Sequence, residues 1–161
     1  MFYRNANNND LNQIISMKNR VKNRIIKENL PIWLNGYPTD ELIEMDIENN
    51  YGRVIEIDGK VVGYAMMIPS EILYMEEDFE TKDLYSFGRV MVDDNYTKLG
   101  IGRFLITSII KEVKENGYKG LKISADDCNI KAVKLYESLG FKKEGEKQFP
   151  YAYLSIFGLY F

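Results

Sequence analysis

Histidine is absent from this chain of 161 residues, and cysteine occurs once, at Cys128. The first absence excludes Ser-His-Asp and Cys-His catalysis and leaves no Cys/His cluster for a transition metal, so no metal is expected; the second excludes an intrachain disulfide. Charge of one sign is not in surplus either. The net charge is −3 and the isoelectric point near 5.2, whereas a nucleic-acid surface needs clustered, uncompensated Lys and Arg. Nucleic acid is therefore not an expected partner. Long apolar runs are lacking as well: the longest, Tyr151 to Phe161, is about half of what a membrane-spanning helix needs and reads as a terminal strand. The opening MFYRNANNND has no basic segment followed by an apolar one, which makes the cytoplasm the expected compartment.

What is present suffices for one core. Hydrophobic residues make up 45% of the chain, and the length fits a single domain spanning 1–161. Phe2 to Arg4 reads as a short strand, and Asp10 as the cap of a long helix carrying Leu11, Ile14, Ile15, Met17, Val21, Ile25 and Ile26. Thr39 caps a second helix, with Asp40 and Glu41 in its first turn and Leu42, Ile43, Met45 and Ile47 as its apolar side. VIEI and VVGYAMMI flank Asp58-Gly59, a strong hairpin signal. Glu71 to Asp83 reads as an irregular acidic loop, and Tyr85 to Val92 as a buried strand. A helix from about Gly100 to Asn116, a strand from Leu121, a helix ending at Gly140 and two closing strands complete the order β-α-α-β-β-β-α-β-α-β-β. That order predicts an α/β fold with a mixed sheet of about seven strands flanked by four helices.

The chemistry-bearing segment is VMVDDNYTKLGIGRFLI, Val90 to Ile106: a strand, a polar turn, then two glycines opening a helix. Such a turn presents unpaired N–H groups at the positive end of the helix, and Leu99, Gly100, Ile101, Gly102 and Arg103 can aim theirs at one point. Lys98 and Arg103 add charge. A Gly-x-Gly here also serves tight packing, and the segment lacks the Lys-Ser/Thr of a P-loop and the third glycine of a dinucleotide fold.

A second segment, ISADDCNIKAVKLYESLGF from Ile123 to Phe141, decides between these uses. Together the two resemble the signature of the GNAT superfamily of acetyl-CoA-dependent N-acetyltransferases: a strand ending in Val, Y-x-x-x-G-x-G into a helix, then a strand, an Asn and a helix closing in L-Y-E-x-L-G-F. The likeness covers roughly Phe87 to Glu144. It implies a GNAT-like sheet and acetyl-CoA as co-substrate. It also implies that Val90, Met91 and Val92 meet the pantetheine arm, that Thr97, Lys98, Leu99, Gly100, Ile101, Gly102 and Arg103 cradle the pyrophosphate, and that Asn129, Ala132 and Tyr136 line the pantetheine and sulfur. Thr97 stands where the family usually has Gln or Arg, Lys98 where it often has Gly, and Leu99 where a basic or small residue is more common.

On the residues alone, Asn129 reads as a helix cap and Tyr136 as a core aromatic beside Ala132 and Leu139, a preference that the resemblance reverses for both. Seven positions apart on a helix, the two share a face. Cys128 reads as an inert thiol, because Asp126 and Asp127 raise its pKa and no base adjoins it. Trp33, Tyr37 and Arg89 are candidates for the acceptor pocket, with core packing the alternative for the two aromatics. The acidic run Glu76, Glu77, Asp78 and Glu80 reads as a solvated loop. The resemblance thus implies direct transfer of an acetyl group to a small-molecule or peptide amine, with Tyr136 as general acid to the CoA thiolate and a carboxylate or water chain as base. A monomer or homodimer is expected. A non-catalytic acyl-CoA sensor and a partner-binding α/β domain are the rival readings.

Overall fold

The structure is a computed structural model that describes residues 1–73, 81–150 and 152–161. Its seven strands are β1 (Phe2–Asn5), β2 (Gly52–Ile57), β3 (Lys60–Pro69), β4 (Leu84–Val92), β5 (Gly120–Ala125), β6 (Lys142–Gln148) and β7 (Tyr153–Tyr160). They form one sheet in the order β1-β2-β3-β4-β5-β7-β6. The helices are α1 (Leu11–Lys27), α2 (Asp40–Glu48), α3 (Ser70–Leu73), α4 (Ile101–Glu115) and α5 (Ile130–Ser138). The residues fall into two compact units, Met1–Met67 with Arg89–Ser108, and Ile68–Gly88 with Ile109–Phe161.

In the first unit, β1 pairs antiparallel with β2, and β2 with β3 across a turn in which Asp58 (φ 49°) and Gly59 (φ 78°) are both left-handed, as a two-residue hairpin requires. Ile14, Met17, Val21 and Ile25 of α1 pack with Ile43 and Ile47 of α2 and with Val54, Val61, Tyr64 and Met91 of the strands. Each buried Ile or Val contributes about 1.5–3 kcal/mol over exposure. Ile26, expected on that face, is 69% exposed because it sits about 100° around the helix from Ile25. The helix start also differs from expectation. Asn7 caps a 3-10 turn over Asn8–Asp10, its side chain accepting from the Asn9 amide at 2.9 Å. Asp10 makes no side-chain cap to α1; its carboxylate returns to the Asn7 amide and takes the Arg4 guanidinium at 2.7 and 2.8 Å. Thr39 caps α2 as expected, accepting from the Leu42 amide at 3.2 Å.

In the second unit, β5 and β6 both run antiparallel to β7, while Leu84 and Tyr85 of β4 pair in parallel with Gly120 and Leu121 of β5. The buried Lys122 is balanced by Glu144 at 3.2 Å. Left-handed Gly117 and Gly140 follow α4 and α5, where the sequence placed their ends. The α3 turn was expected as loop: four residues are too few to display a helical period. Its Ser70 hydroxyl is 2.7 Å from that of Ser86, which donates to the Lys122 carbonyl at 2.5 Å. The run Glu76, Glu77, Asp78 and Glu80 lies outside the described residues. Among the described residues no helix is long and apolar enough to cross a membrane.

Candidate active site

The turn leaving β4 is built by charge pairing. Asp93, only 4% exposed, donates its amide to the Val62 carbonyl at 2.9 Å and accepts the Asn95 amide on Oδ1 at 3.0 Å, opening a 3-10 turn over Asp94–Tyr96. Its Oδ2 takes Nη2 of Arg20 at 2.5 Å, and Asp94 takes Nε of Arg24 at 2.8 Å. Two arginines one helical turn apart on α1 thus fix the turn. The chain then passes through left-handed Lys98 (φ 66°) and Gly100 (φ 74°) into α4. The Phe104 amide closes the first helical turn on the Gly100 carbonyl at 2.9 Å. The amides of Ile101 and Gly102 precede that closure and have no intrahelical acceptor. A Cβ on Gly100 would meet no atom within 4 Å, so the backbone there is open to a ligand.

The side chains around this turn divide by burial. Thr97, Lys98, Leu99 and Arg103 are exposed, Leu99 at 57% despite being apolar. Ile101 is 1% exposed and faces Gly63, so only its backbone can serve a ligand. In β4, Met91 is buried in the core while Val90 and Val92 are half-buried, the alternation of a strand.

In the second unit, Asn129 immediately precedes α5. Its amide bonds the Asp126 carbonyl at 3.0 Å, and its side chain makes no cap hydrogen bond. The cap alternative therefore holds for the position but not for the carboxamide. Ala132 is half-buried in the first turn of the same helix, and Tyr136 is 7% exposed. The Tyr136 ring stands edge-on to Phe87 at 5.6 Å and Phe141 at 6.1 Å. Its packing is that of a core aromatic, yet among the described residues its hydroxyl has no hydrogen-bond partner. A phenol is protonated at neutral pH even at its ordinary pKa, and burial raises that pKa further. Burial and the hydrogen bond to Asp126 push the Cys128 thiol up to about 11. A thiol so held is no nucleophile at neutral pH. Cys128→Ala is expected to retain most activity, and intact mass should reveal no acetylated protein when acetyl-CoA is added without amine; a stoichiometric adduct lost in the alanine variant would indicate a two-step route.

Arg89 and Tyr37 come together, while Trp33 packs against the core cluster that holds Tyr64 and Met91. Trp33, with a left-handed φ of 53°, lies half-buried against the α1–α2 core. The Arg89 guanidinium lies 5.7 Å above the Tyr37 ring, and its Nη1 is 3.6 Å from Oδ1 of Asp46. Asp46 accepts the hydroxyl of fully buried Tyr64 on Oδ2 at 2.6 Å. Burial raises the Asp46 pKa, against the opposing pull of Arg89 and the Tyr64 bond. The sequence reading missed Asp46 and Tyr64, although one signal existed: Asp46 interrupts the inward stripe of Ile43 and Ile47, while Met45, assigned to that stripe, is 54% exposed. Tyr64→Phe strands a buried carboxylate oxygen and is expected to cost about 1–3 kcal/mol. At this chain length each kcal/mol lowers the melting temperature by about 2–4 °C, and an unchanged melting temperature would show that the bond does not matter.

The sequence model of the Acetyltransferase (GNAT) family matches residues 22–141, and the chain belongs to that family. Human N-acetyltransferase 8 is 29% identical over 96 residues, covering 60% of this chain and 40% of that protein. The chain thus spans less than half the length of that curated relative. Among solved structures, a GNAT-family acetyltransferase from Streptococcus agalactiae superposes with a TM-score of 0.86 at 19% identity, covering 99% of this chain and 94% of that one. A ribosomal-protein-alanine N-acetyltransferase from Brucella melitensis gives 0.74 at 24% identity over the whole of both chains. At these identities the two structures establish a shared fold.

Proposed function

We propose that the chain moves an acetyl group from acetyl-CoA to a primary amine of a small molecule or peptide, by direct attack in a ternary complex. The observation that carries this reading is the turn into α4, where successive amides lie ahead of the first helical hydrogen bond beside an open Gly100. A diphosphate is held well by such amides at the positive end of a helix, and Lys98 and Arg103 add charge. Residues 97–103 hold the pyrophosphate in this reading, and the backbone of Val90, Met91 and Val92 serves the pantetheine arm. The Asn129 carboxamide, unused as a cap, hydrogen-bonds a pantetheine amide beside Ala132.

Acetyl-CoA supplies the acetyl group as a thioester. The Val92 amide donates to the carbonyl oxygen as charge develops there, and the holding of both reactants in register supplies the rest of the rate. Tyr136 keeps a proton on its hydroxyl for the departing sulfur. Trp33, Tyr37 and Arg89 border the acceptor, the first through the shape of the connection it fixes. The reading places the activity in the cytoplasm, in a monomer or homodimer. Thermal unfolding with acetyl-CoA tests the first half, since a ligand bound only to the native state raises its stability. Thiol release across an amine panel tests the second. No stabilisation by acetyl-CoA rejects the reading, and stabilisation without thiol release for any amine reduces the chain to a binding protein.

A further inference from the structure

Arg89 is anomalous in three respects. Its side chain is 12% exposed, yet among the described residues the carboxylate paired with it, that of Asp46, stands at 3.6 Å, beyond a hydrogen bond, and its buried Nε has no hydrogen-bond partner among them. A guanidinium carries five donors in a rigid fork, and leaving the one on Nε buried without a partner is costly. Its backbone also holds φ at 51° inside β4, a conformation that non-glycine residues adopt at a cost and that accumulates where function requires it. The Tyr37 ring beneath the guanidinium limits where it can move, and Tyr64 holds Asp46 on the other oxygen.

We infer that Arg89 binds a carboxylate of the acceptor, so that the amine acetylated by this chain belongs to a molecule that also carries a carboxylate close to it, as in a free amino acid. This deepens the acetyltransfer reading and rests on it. A planar carboxylate meets the guanidinium fork with two parallel hydrogen bonds, one of them from the Nε–H that has no partner among the described residues. A phosphate fits less well. With Asp46 beside it, Arg89 offers at most one unit of positive charge, which suits a monoanion and not a dianion. Polyamines and aminoglycosides bring only cations to a cation. Arg89 lies one position before Val90, on the strand to which the proposed thioester contacts belong, so an acceptor held there has its amine near the reacting carbonyl.

The experiment compares matched amines with the intact protein and saturating acetyl-CoA: leucine with 3-methylbutylamine and leucinamide, phenylalanine with phenethylamine, and spermidine as the carboxylate-free polycation. At least one carboxylate-bearing member is expected to show kcat/KM tenfold or more above its carboxylate-free partner. In Arg89→Met that ratio falls to about one, mainly through KM, whereas Arg89→Lys retains part of it. The comparison in the parent protein decides the matter even where a variant fails to fold. Turnover confined to carboxylate-free amines, equal turnover within every pair, or no turnover of any pair overturns the inference. Stabilisation by acetyl-CoA together with turnover of at least one amine, measured in the same preparation, shows that the acetyltransfer reading stands; loss of either marks failure of that reading, whereas both without a carboxylate preference overturn this inference alone.

Discussion

Gly102→Val is expected to weaken acetyl-CoA binding tenfold or more, equivalent to about 1.4 kcal/mol, without unfolding the protein. Gly102 lies in the first turn of α4 with ordinary helical backbone and is half-buried. Valine is no worse than glycine as a helix former. What it adds is a branched Cβ over amides that have no intrahelical acceptor, and a ligand that relies on close backbone approach is held off. The neighbouring Gly100 is a less clean probe. A side chain there enters open space but must adopt φ 74°, so any loss mixes backbone strain with exclusion of the ligand. Lys98→Ala is the control. Lys98 is exposed, so its removal takes away one screened charge and no backbone donor, and affinity should fall modestly and mostly at low salt. Calorimetry that finds unchanged affinity in folded Gly102→Val would place the cofactor elsewhere.

The turn into α4 was readable because its parts are consecutive: strand, turn, glycines and helix follow one another within a few positions. The same holds for Thr39 as a cap and for the Asp58-Gly59 hairpin, where local backbone chemistry fixes the outcome. Features that join distant positions were not readable. Arg20 and Asp93 lie 73 positions apart, and Arg24 and Asp94 70, so nothing in the turn's own sequence tells that α1 secures it. Asp10 fits a cap by spacing, yet Arg4 claims its carboxylate. Asp46 is the most instructive case. A helical period says which positions face inward, but not that a tyrosine hydroxyl from a strand and an arginine from another await a carboxylate there. Arg89 was marked in sequence as a candidate for the acceptor pocket, whereas its left-handed backbone and its buried, unpartnered Nε required the folded chain.

Tyr136→Phe is expected to lower kcat by about 10² while leaving the acetyl-CoA affinity little changed, the pattern of an interaction made chiefly in the transition state. The ring is buried edge-on against Phe87 and Phe141, and phenylalanine keeps that packing. Its hydroxyl has no hydrogen-bond partner among the described residues, so removing it breaks no bond within them. Stability should therefore change little. A purely structural tyrosine predicts the same melting behaviour and an unchanged kcat, which makes turnover the discriminating measurement. A phenol is protonated across neutral pH even at its ordinary pKa, which burial raises further, so the hydroxyl is present to donate a hydrogen bond as negative charge builds on sulfur. Tyr136→Ala serves a different purpose: it opens a cavity beside Phe87 and Phe141 and should lower the melting temperature whatever the role of the hydroxyl. Parent-like turnover in Tyr136→Phe, measured where chemistry and not product release limits the rate, would assign protonation of the thiolate to water and leave Tyr136 to packing alone.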